Sequence, residues 1–224
     1  DPQVLEPGTA DDFLVRCQAG IRVSKLNREL AAIDRCMSNN TAFDGQSLVG
    51  MLSTGSHGTG MDHGAIADFV RSVTLVGEGG TIYRIEPEGG ITNPARWARH
   101  GEGHELVQDD DAFYSVIVSM GCMGVITEVV LEVEEDYRLE ETREMMSWAQ
   151  ARQLLARGDV LRDNRHVAVL LNPYPVEDRK AGIDGTACIM ALRNYTDAPL
   201  SPGHRYNALV NIGNLFPRLP SRIM

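Results

Sequence analysis

The sequence predicts an α+β protein: a mixed or antiparallel sheet with flanking helices, followed by the start of a second α+β unit. Three observations carry this. Residues 69–76 and 81–85 are strand-like runs joined by Gly77-Glu-Gly-Gly80, which reads as a hairpin. Residues 25–33 and 147–156 carry apolar residues at helical spacing. Beyond residue 140 the chain alternates one helical segment with two strand-like ones.

In chain order, Ser24 is the expected cap of a helix over 25–33, with Leu26, Leu30 and Ile33 turned inward. Residues 36–41 read as a loop. In the hairpin, Val70, Val73 and Leu75 are the core candidates. Residues 86–111 are charged and rich in glycine, so they read as a surface loop. Residues 125–134 alternate enough for a strand. A boundary near 136–141 divides the chain into 1–137 and 138–224. In the second unit Ser147 caps a helix over 147–156. Residues 166–171 form a strand ended by Asn172-Pro-Tyr-Pro175, and 186–193 form another. The tail 198–224 holds four prolines and is expected to be poorly ordered.

The most informative stretch is Leu48-Val-Gly-Met-Leu-Ser-Thr-Gly-Ser-His-Gly-Thr-Gly60. From Ser53 onward nearly every residue is small or can donate a hydrogen bond. Such a chain lets backbone N–H groups approach an anion or a flat polar ring. Three common templates fail on it. A phosphate-binding Walker loop needs Lys and Ser/Thr after Gly55, where Ser56 and His57 stand. A dinucleotide fingerprint starting at Gly58 needs glycine at 63, which is His63. A nucleophile elbow around Ser56 needs glycine at 54, which is Thr54.

The run from Gly50 to Gly60, the hairpin after it, and Gly121-Cys-Met-Gly-Val-Ile-Thr-Glu128 resemble the vanillyl-alcohol-oxidase type of FAD-linked oxidoreductases. Within that group they are most similar to the aldonolactone, alditol and type II cholesterol oxidases. There, a G-x-x-x-T-G-x-H-G-T-G segment wraps the flavin, and a G-x-x-G-V-I-T-E segment closes over it and leads into a strand. The resemblance runs from about residue 11 to 137. It implies that 1–137 is the second subdomain of a PCMH-type FAD-binding domain, that an N-terminal subdomain with the pyrophosphate loop is absent, and that 138–224 begins the substrate cap. It also implies a helix over 111–119, despite the β-branched residues there. The cofactor is then FAD. Its expected contacts are Ser53, Thr54, Gly55, Ser56, His57, Gly58 and Thr59, with Gly124, Val125 and Ile126 from the second motif. At the latter site a glycine followed by β-branched residues lets the backbone meet an adenine edge while the side chains pack inward.

Other candidates read more plainly. His57 is expected to contact flavin or hold structure rather than act as base. His63, beside Asp62, reads as a hydrogen-bonded loop histidine. His100-Gly-Glu-Gly-His104 lacks a helix that would present both rings to a metal, so no metal site is expected. Glu128 reads as a structural hydrogen-bond partner. Arg71 either pairs with a nearby carboxylate or faces solvent, and Gly20 is either a close-approach glycine or a plain turn. The net charge of −10 disfavours nucleic acid or an anionic membrane surface as partner. No apolar run approaches the ~20 residues of a membrane span. Cys17, Cys36, Cys122 and Cys188 show no C-x-x-C spacing and read as buried thiols of a reducing, cytoplasmic setting.

The expected function is FAD-dependent oxidation of the CH–OH group of a small polyol, sugar lactone or other secondary alcohol, with electrons passing to O2 or another acceptor. Two alternatives stand beside it. One is a flavin-less module of the same fold that binds a partner. The other is a hydrolase using Ser56 and His57, which no nearby acid is placed to support.

Overall fold

The computed structural model describes residues 2–178 and 183–199. The proline-bearing tail from 200 onward lies outside the described residues.

Ten strands and six α-helices make up the described chain: β1 (Leu14–Gln18), α1 (Val23–Ala31), β2 (Arg35–Cys36), α2 (Leu48–Leu52), β3 (Val70–Val76), β4 (Ile82–Glu86), α3 (Pro94–His100), β5 (Glu105–Gln108), α4 (Asp110–Ile117), β6 (Val125–Glu132), β7 (Glu134–Glu135), β8 (Leu139–Ser147), α5 (Trp148–Arg157), α6 (Asp159–Arg162), β9 (His166–Asp178) and β10 (Ile183–Tyr195). The fold is mixed α+β, as predicted.

The first sheet runs β1-β6-β3-β4-β5. All its pairings are antiparallel except β4 with β5, which α3 joins as a crossover. Cys17, Val129, Val73 and Ile85 lie opposite one another across four strands. Because side chains alternate along a strand, this row shares one face, and all four are buried. α1, α2 and α4 cover that face with Leu26, Leu30, Leu48, Met51, Leu52, Phe113 and Val116. The hairpin and its core residues Val70, Val73 and Leu75 stand as predicted.

Several expectations at the helix ends need correction. α1 is capped from Arg22 without a side-chain bond, and Ser24 lies inside the helix. The chain enters on Val23, whose N–H donates to Gln46 O, so tertiary pairing replaces the cap. Ile33 lies past the helix end and is 57% exposed.

Residues 86–111 are not a loop: they hold α3 and β5. Asn93 caps α3 by accepting from the Arg96 N–H at 3.0 Å, and Pro94 opens the helix. The segment is tied down by a buried polar network. Glu86, fully buried, accepts from Arg84 Nε at 2.8 Å, Thr92 N at 2.9 Å and Thr92 Oγ1 at 2.6 Å. The Arg84 guanidinium also lies 5.0 Å from the Trp97 ring centroid. Charge and glycine content concealed this, because the buried pair Glu86 and Arg84 reads in sequence like the exposed charges around it.

The second sheet, β8-β10-β9, is fully antiparallel. β8 has no counterpart among the predicted elements; four of its nine residues are charged. β9 continues through Asn172-Pro-Tyr-Pro175 to Asp178, where those residues were expected to end it. Pro175 pairs opposite Thr186, beside a register shift, and β9 lies at the sheet edge, where missing N–H donors are tolerated. α5 begins as predicted, with Ser147 and Gln150 forming a reciprocal capping box. α5 packs on the sheet face bearing Met146, Cys188 and Met190. The opposite face carries Glu141, Arg143, Ala191, Arg193, His166 and Ala168, and it is the face that matters below.

Candidate functional site

The 53–60 loop is built outward from α2. Ser47 Oγ accepts from Gly50 N at 3.3 Å and starts the helix. The helix is closed by Gly55 N donating to Leu52 O at 2.9 Å and Ser56 N donating to Met51 O at 3.2 Å, with Gly55 at φ 65°. Thr54 Oγ1 bonds back to Gly50 O and Met51 O. Ser53, Gly55 and Ser56 thus spend their N–H groups, and Thr54 its hydroxyl, on α2 and its end, and Ser53 is buried.

Beyond them the chain opens. Among the described residues, the N–H groups of His57, Gly58 and Thr59 find no protein acceptor. Gly58 lies against Asn39, where a Cβ would come within 2.0 Å of Oδ1. Asn39, itself buried, donates from Nδ2 to Thr59 O at 3.2 Å.

His57, Gly58 and Thr59 form one wall of a cavity of about 540 Å³, within the usual ~300–1,000 Å³ of small-molecule sites. The other wall is the open face of the second sheet. Leu139, Ala168, Leu170 and Ile189 supply apolar floor, and Arg143, Arg193 and His166 supply polar groups. Arg143 Nε and Arg193 Nε each lie 2.5 Å from one oxygen of Glu141, which sits opposite Arg193 in the sheet.

His166 joins the two walls. Its Nδ1 lies 2.7 Å from Thr59 O. A carbonyl can only accept, so Nδ1 carries the proton and Nε2 is the acceptor in the neutral ring. Burial lowers its pKa below the ordinary histidine value; the Thr59 carbonyl opposes this and Arg165 reinforces it. His63, read above as a hydrogen-bonded loop histidine, instead stacks on His166 with ring centroids 5.2 Å apart. Its pKa is lowered too, by burial and then by Arg165. Next to this pair Arg165 lies between the rings of Tyr137 and Tyr195, 4.7 and 4.4 Å from their centroids. It donates to Ser38 O at 3.1 Å and to Glu134 at 3.3 Å. Tyr137 Oη donates to the same Ser38 carbonyl. One latch thus holds the 166 end of the second sheet to Ser38 and the segment around Glu134 and Tyr137.

The second motif meets the first elsewhere. Met120 N donates to Ser53 O at 3.0 Å. Gly124 has φ 137°, and a Cβ there would lie 2.7 Å from Val76 O, so this turn demands glycine. Ile126 packs on the core. Val125, expected to pack inward, is 66% exposed, because β6 begins at the sheet end with that side chain outward. Gly124, Val125 and Ile126 do not line the cavity walled by 57–59.

The remaining candidates settle as follows. Glu128 receives Arg16 Nε at 2.7 Å, a structural pair on neighbouring strands. Arg71 pairs with Glu132 across β3 and β6. Gly20 has open space where a Cβ would go, so it is a plain turn glycine. The His104 carbonyl accepts from Trp97 Nε1 at 2.9 Å and closes α3 onto β5. Of the four free thiols, Cys17 and Cys188 are buried, Cys36 is partly so, and Cys122 is exposed, contrary to expectation.

Sequence reading missed Asn39, Arg143, Arg193, Glu141 and His166. The available signal was alternation: Glu141-Thr-Arg143 and His166-Val-Ala168 each place every second residue on one sheet face.

The site suits part of a flavin dinucleotide: unpaired N–H donors at 57–59 face an apolar floor of the right size for a flat ring with a polar edge. Comparisons with known proteins point to the same cofactor. The FAD binding domain family matches residues 7–86. The D-arabinono-1,4-lactone oxidase of Saccharomyces cerevisiae is 26% identical over 161 residues, 71% of this chain and 26% of that protein. The L-gulonolactone oxidase of Bos taurus is 27% identical over 128 residues, 57% of this chain and 25% of that protein. The aligned part thus spans about a quarter of the length of these relatives. Among solved structures, an alkyldihydroxyacetonephosphate synthase superposes with a TM-score of 0.58 at 17% identity, covering 85% of this chain and 36% of that one; this speaks to fold alone. Residues 7–86 thus match the FAD binding domain family, which indicates FAD as the cofactor, and the chain is similar to D-arabinono-1,4-lactone and L-gulonolactone oxidases.

Proposed function

We propose that the chain is part of an FAD-dependent oxidoreductase that oxidises a CH–OH group of a small sugar lactone, polyol or other secondary alcohol. The observation that carries this reading is the cavity between the 57–59 loop and the open face of β8-β10-β9. One wall suits a flavin edge and the other offers polar side chains to a hydroxylated substrate. The names of the relatives support a lactone among these classes.

In this reading, N–H groups of His57, Gly58 and Thr59 hold the polar edge of the cofactor, and the Asn39–Thr59 bond keeps them pre-set. Bound FAD supplies the two-electron acceptor for a hydride. The protein positions and dries the reacting groups: Leu139, Ala168 and Leu170 exclude water, while Arg143, Arg193 and His166 orient the substrate. The hydroxyl proton and the final acceptor, O2 or another, lie beyond this arrangement. We further propose units at 1–137 and 138–224 and a reducing, cytoplasmic setting, the latter supported by four free cysteines.

The test is an absorbance spectrum of the chain after incubation with FAD and desalting. Retained flavin bands, bleached by a sugar lactone or polyol, support the reading. A chain that stays colourless and leaves FAD fluorescence unchanged overturns it in favour of a flavin-less binding module.

A further inference from the structure

We propose that a further cavity, on the face of the first sheet turned away from α1, α2 and α4, binds a small neutral molecule that gives a carbonyl oxygen to the Arg84 guanidinium and an apolar ring to the walls beside it. This goes beyond the flavoenzyme reading and does not depend on it.

The cavity forms where the turn Pro2–Val4 and α3 close over that face. Three bonds tie this cover down. Asn93 N donates to Val4 O at 2.9 Å, Glu6 N to Ile91 O at 2.8 Å, and Arg96 Nη1 to Leu5 O at 2.8 Å. The enclosed volume is about 280 Å³, at the small end of ligand sites, which run ~300–1,000 Å³. Leu5, Leu14 and Val130 supply apolar walls, and Trp97 an aromatic one.

Arg84 lines the same space with donors that the protein leaves unused. The residue is only 9% exposed. Its Nε is spent on Glu86 Oε1 and Thr92 Oγ1, each at 2.8 Å. Glu86 has nothing left to offer the rest of the fork. Its Oε1 accepts from Arg84 and from Thr92 Oγ1, and its Oε2 from Thr92 N and, at 3.2 Å, from Gln108 Nε2. Among the described residues, neither Arg84 Nη group finds an acceptor, and neither is sealed off from open space. These two groups carry all the remaining donors of a planar fork. Donors held this far out of bulk water are costly unless something accepts from them. The Nε side is closed by Glu86 and Thr92, so the Nη side fronts the cavity.

Charge then selects the acceptor. The formal charges on the lining cancel: Arg16 and Arg84 stand against Asp11 and Glu102, with His100 neutral. Arg16 is already engaged by Glu102 at 2.6 Å and by Glu128 at 2.7 Å. The fully buried Glu86 stands behind Arg84. An anion would thus meet more carboxylates than free cations. A carbonyl oxygen adds no charge and can accept from both Nη groups in their own plane, in bonds strengthened by the cation.

The test is N–H NMR of the isotope-labelled 224-residue chain with three probes of similar size: ε-caprolactam, cyclohexanol (no carbonyl) and cyclohexanecarboxylate (an anion). The chain has two tryptophans, Trp97 at this cavity and Trp148 on α5, so one indole signal is the reporter and the other the control. ε-Caprolactam should move the Trp97 indole and Arg84 Nε–H signals saturably at millimolar concentration and leave Trp148 unmoved. Cyclohexanol and cyclohexanecarboxylate should each need at least tenfold more. Leu14→Phe, which fills the cavity and takes no part in the Glu86 network, should abolish the response. Arg84→Lys keeps a cation for Glu86 but loses the fork, and should weaken ε-caprolactam at least fivefold with cyclohexanol unchanged. The ranking of the three probes on the unsubstituted chain decides the matter even where a variant fails to fold. No saturable shift at tens of millimolar would mean that Arg84 holds only water, and would overturn the proposal. So would equal responses to all three probes, a carboxylate that binds as tightly as the lactam, or a response that survives in folded Leu14→Phe.

Discussion

The sharpest prediction concerns Gly58. Its φ lies outside the left-handed region, so an alanine there meets no backbone strain. The obstacle is space. A Cβ would sit 2.0 Å from Asn39 Oδ1 and 2.4 Å from the Asn40 carbonyl. The Asn40 carbonyl is backbone and cannot swing aside, so Asn39 and the loop must both move. Asn39 would lose its bond to Thr59 O and the one it accepts from Asn40 N at 2.9 Å. Two hydrogen bonds are worth about 1 kcal/mol each, and overpacking adds roughly 1–3 kcal/mol. Gly58→Ala should thus destabilise by about 3–5 kcal/mol in urea unfolding, and FAD affinity should fall more than tenfold as the N–H groups of 57–59 are displaced. Gly20→Ala is the control. Its Cβ meets nothing within 4 Å, and the stiffer unfolded chain should make it neutral or more stable by up to about 1 kcal/mol. A Gly58→Ala protein within 0.5 kcal/mol of wild type, still binding FAD normally, would refute the reasoning that this glycine sets the cradle.

Four further outcomes are expected. Glu86→Ala leaves the buried Arg84 unpaired and should cost about 3–5 kcal/mol, whereas Glu86→Gln, which keeps an acceptor, should cost less; the midpoints of chemical denaturation compare them. Ser147→Ala breaks the capping box and should cost about 1 kcal/mol, read by the same method. His166 and His63 both have folded pKa values below their unfolded ones, so the unfolded chain binds more protons as the medium acidifies. Their contribution is complete above the unfolded histidine value and fades as pH falls from about 6.5 toward the lower folded values; the slope of stability against pH in that window should shrink in His166→Phe. With an aromatic disulfide reagent near pH 8, Cys122 should react first. Cys17, whose thiol burial pushes up to about 11, should resist until the chain unfolds.

Much of this protein was legible in the residue order. The hairpin of β3 and β4 declares itself through two β-branched runs around Gly77-Glu-Gly-Gly80, because strand alternation and turn chemistry are local. The Ser147 cap is local for the same reason. The two glycine motifs are readable because backbone approach and positive φ tolerate few residue types: Gly124, with Val76 O in the way of any Cβ, is a case in point. Where the sequence misled, the deciding interactions were distant in the chain. Residues 86–111 look like a solvated loop until Glu86 is seen buried against Arg84 and Thr92. β8 looks polar because one of its faces lines a cavity. Ser24 seemed a cap because nothing local shows that Gln46 receives the Val23 N–H.

The residue order by itself determined that the chain would build a donor-rich, glycine-lined loop able to meet a cofactor, since that property resides in which residues are small. Only the tertiary structure decided which of those donors remain unpaired. Ser53, Gly55 and Ser56 turn their N–H groups back onto α2, and 57–59 keep theirs in a loop whose Thr59 carbonyl is held by Asn39 and His166. Only it, too, brought Arg143, Arg193 and His166 to the opposite wall, because strand register joins residues up to fifty positions apart that no local pattern relates.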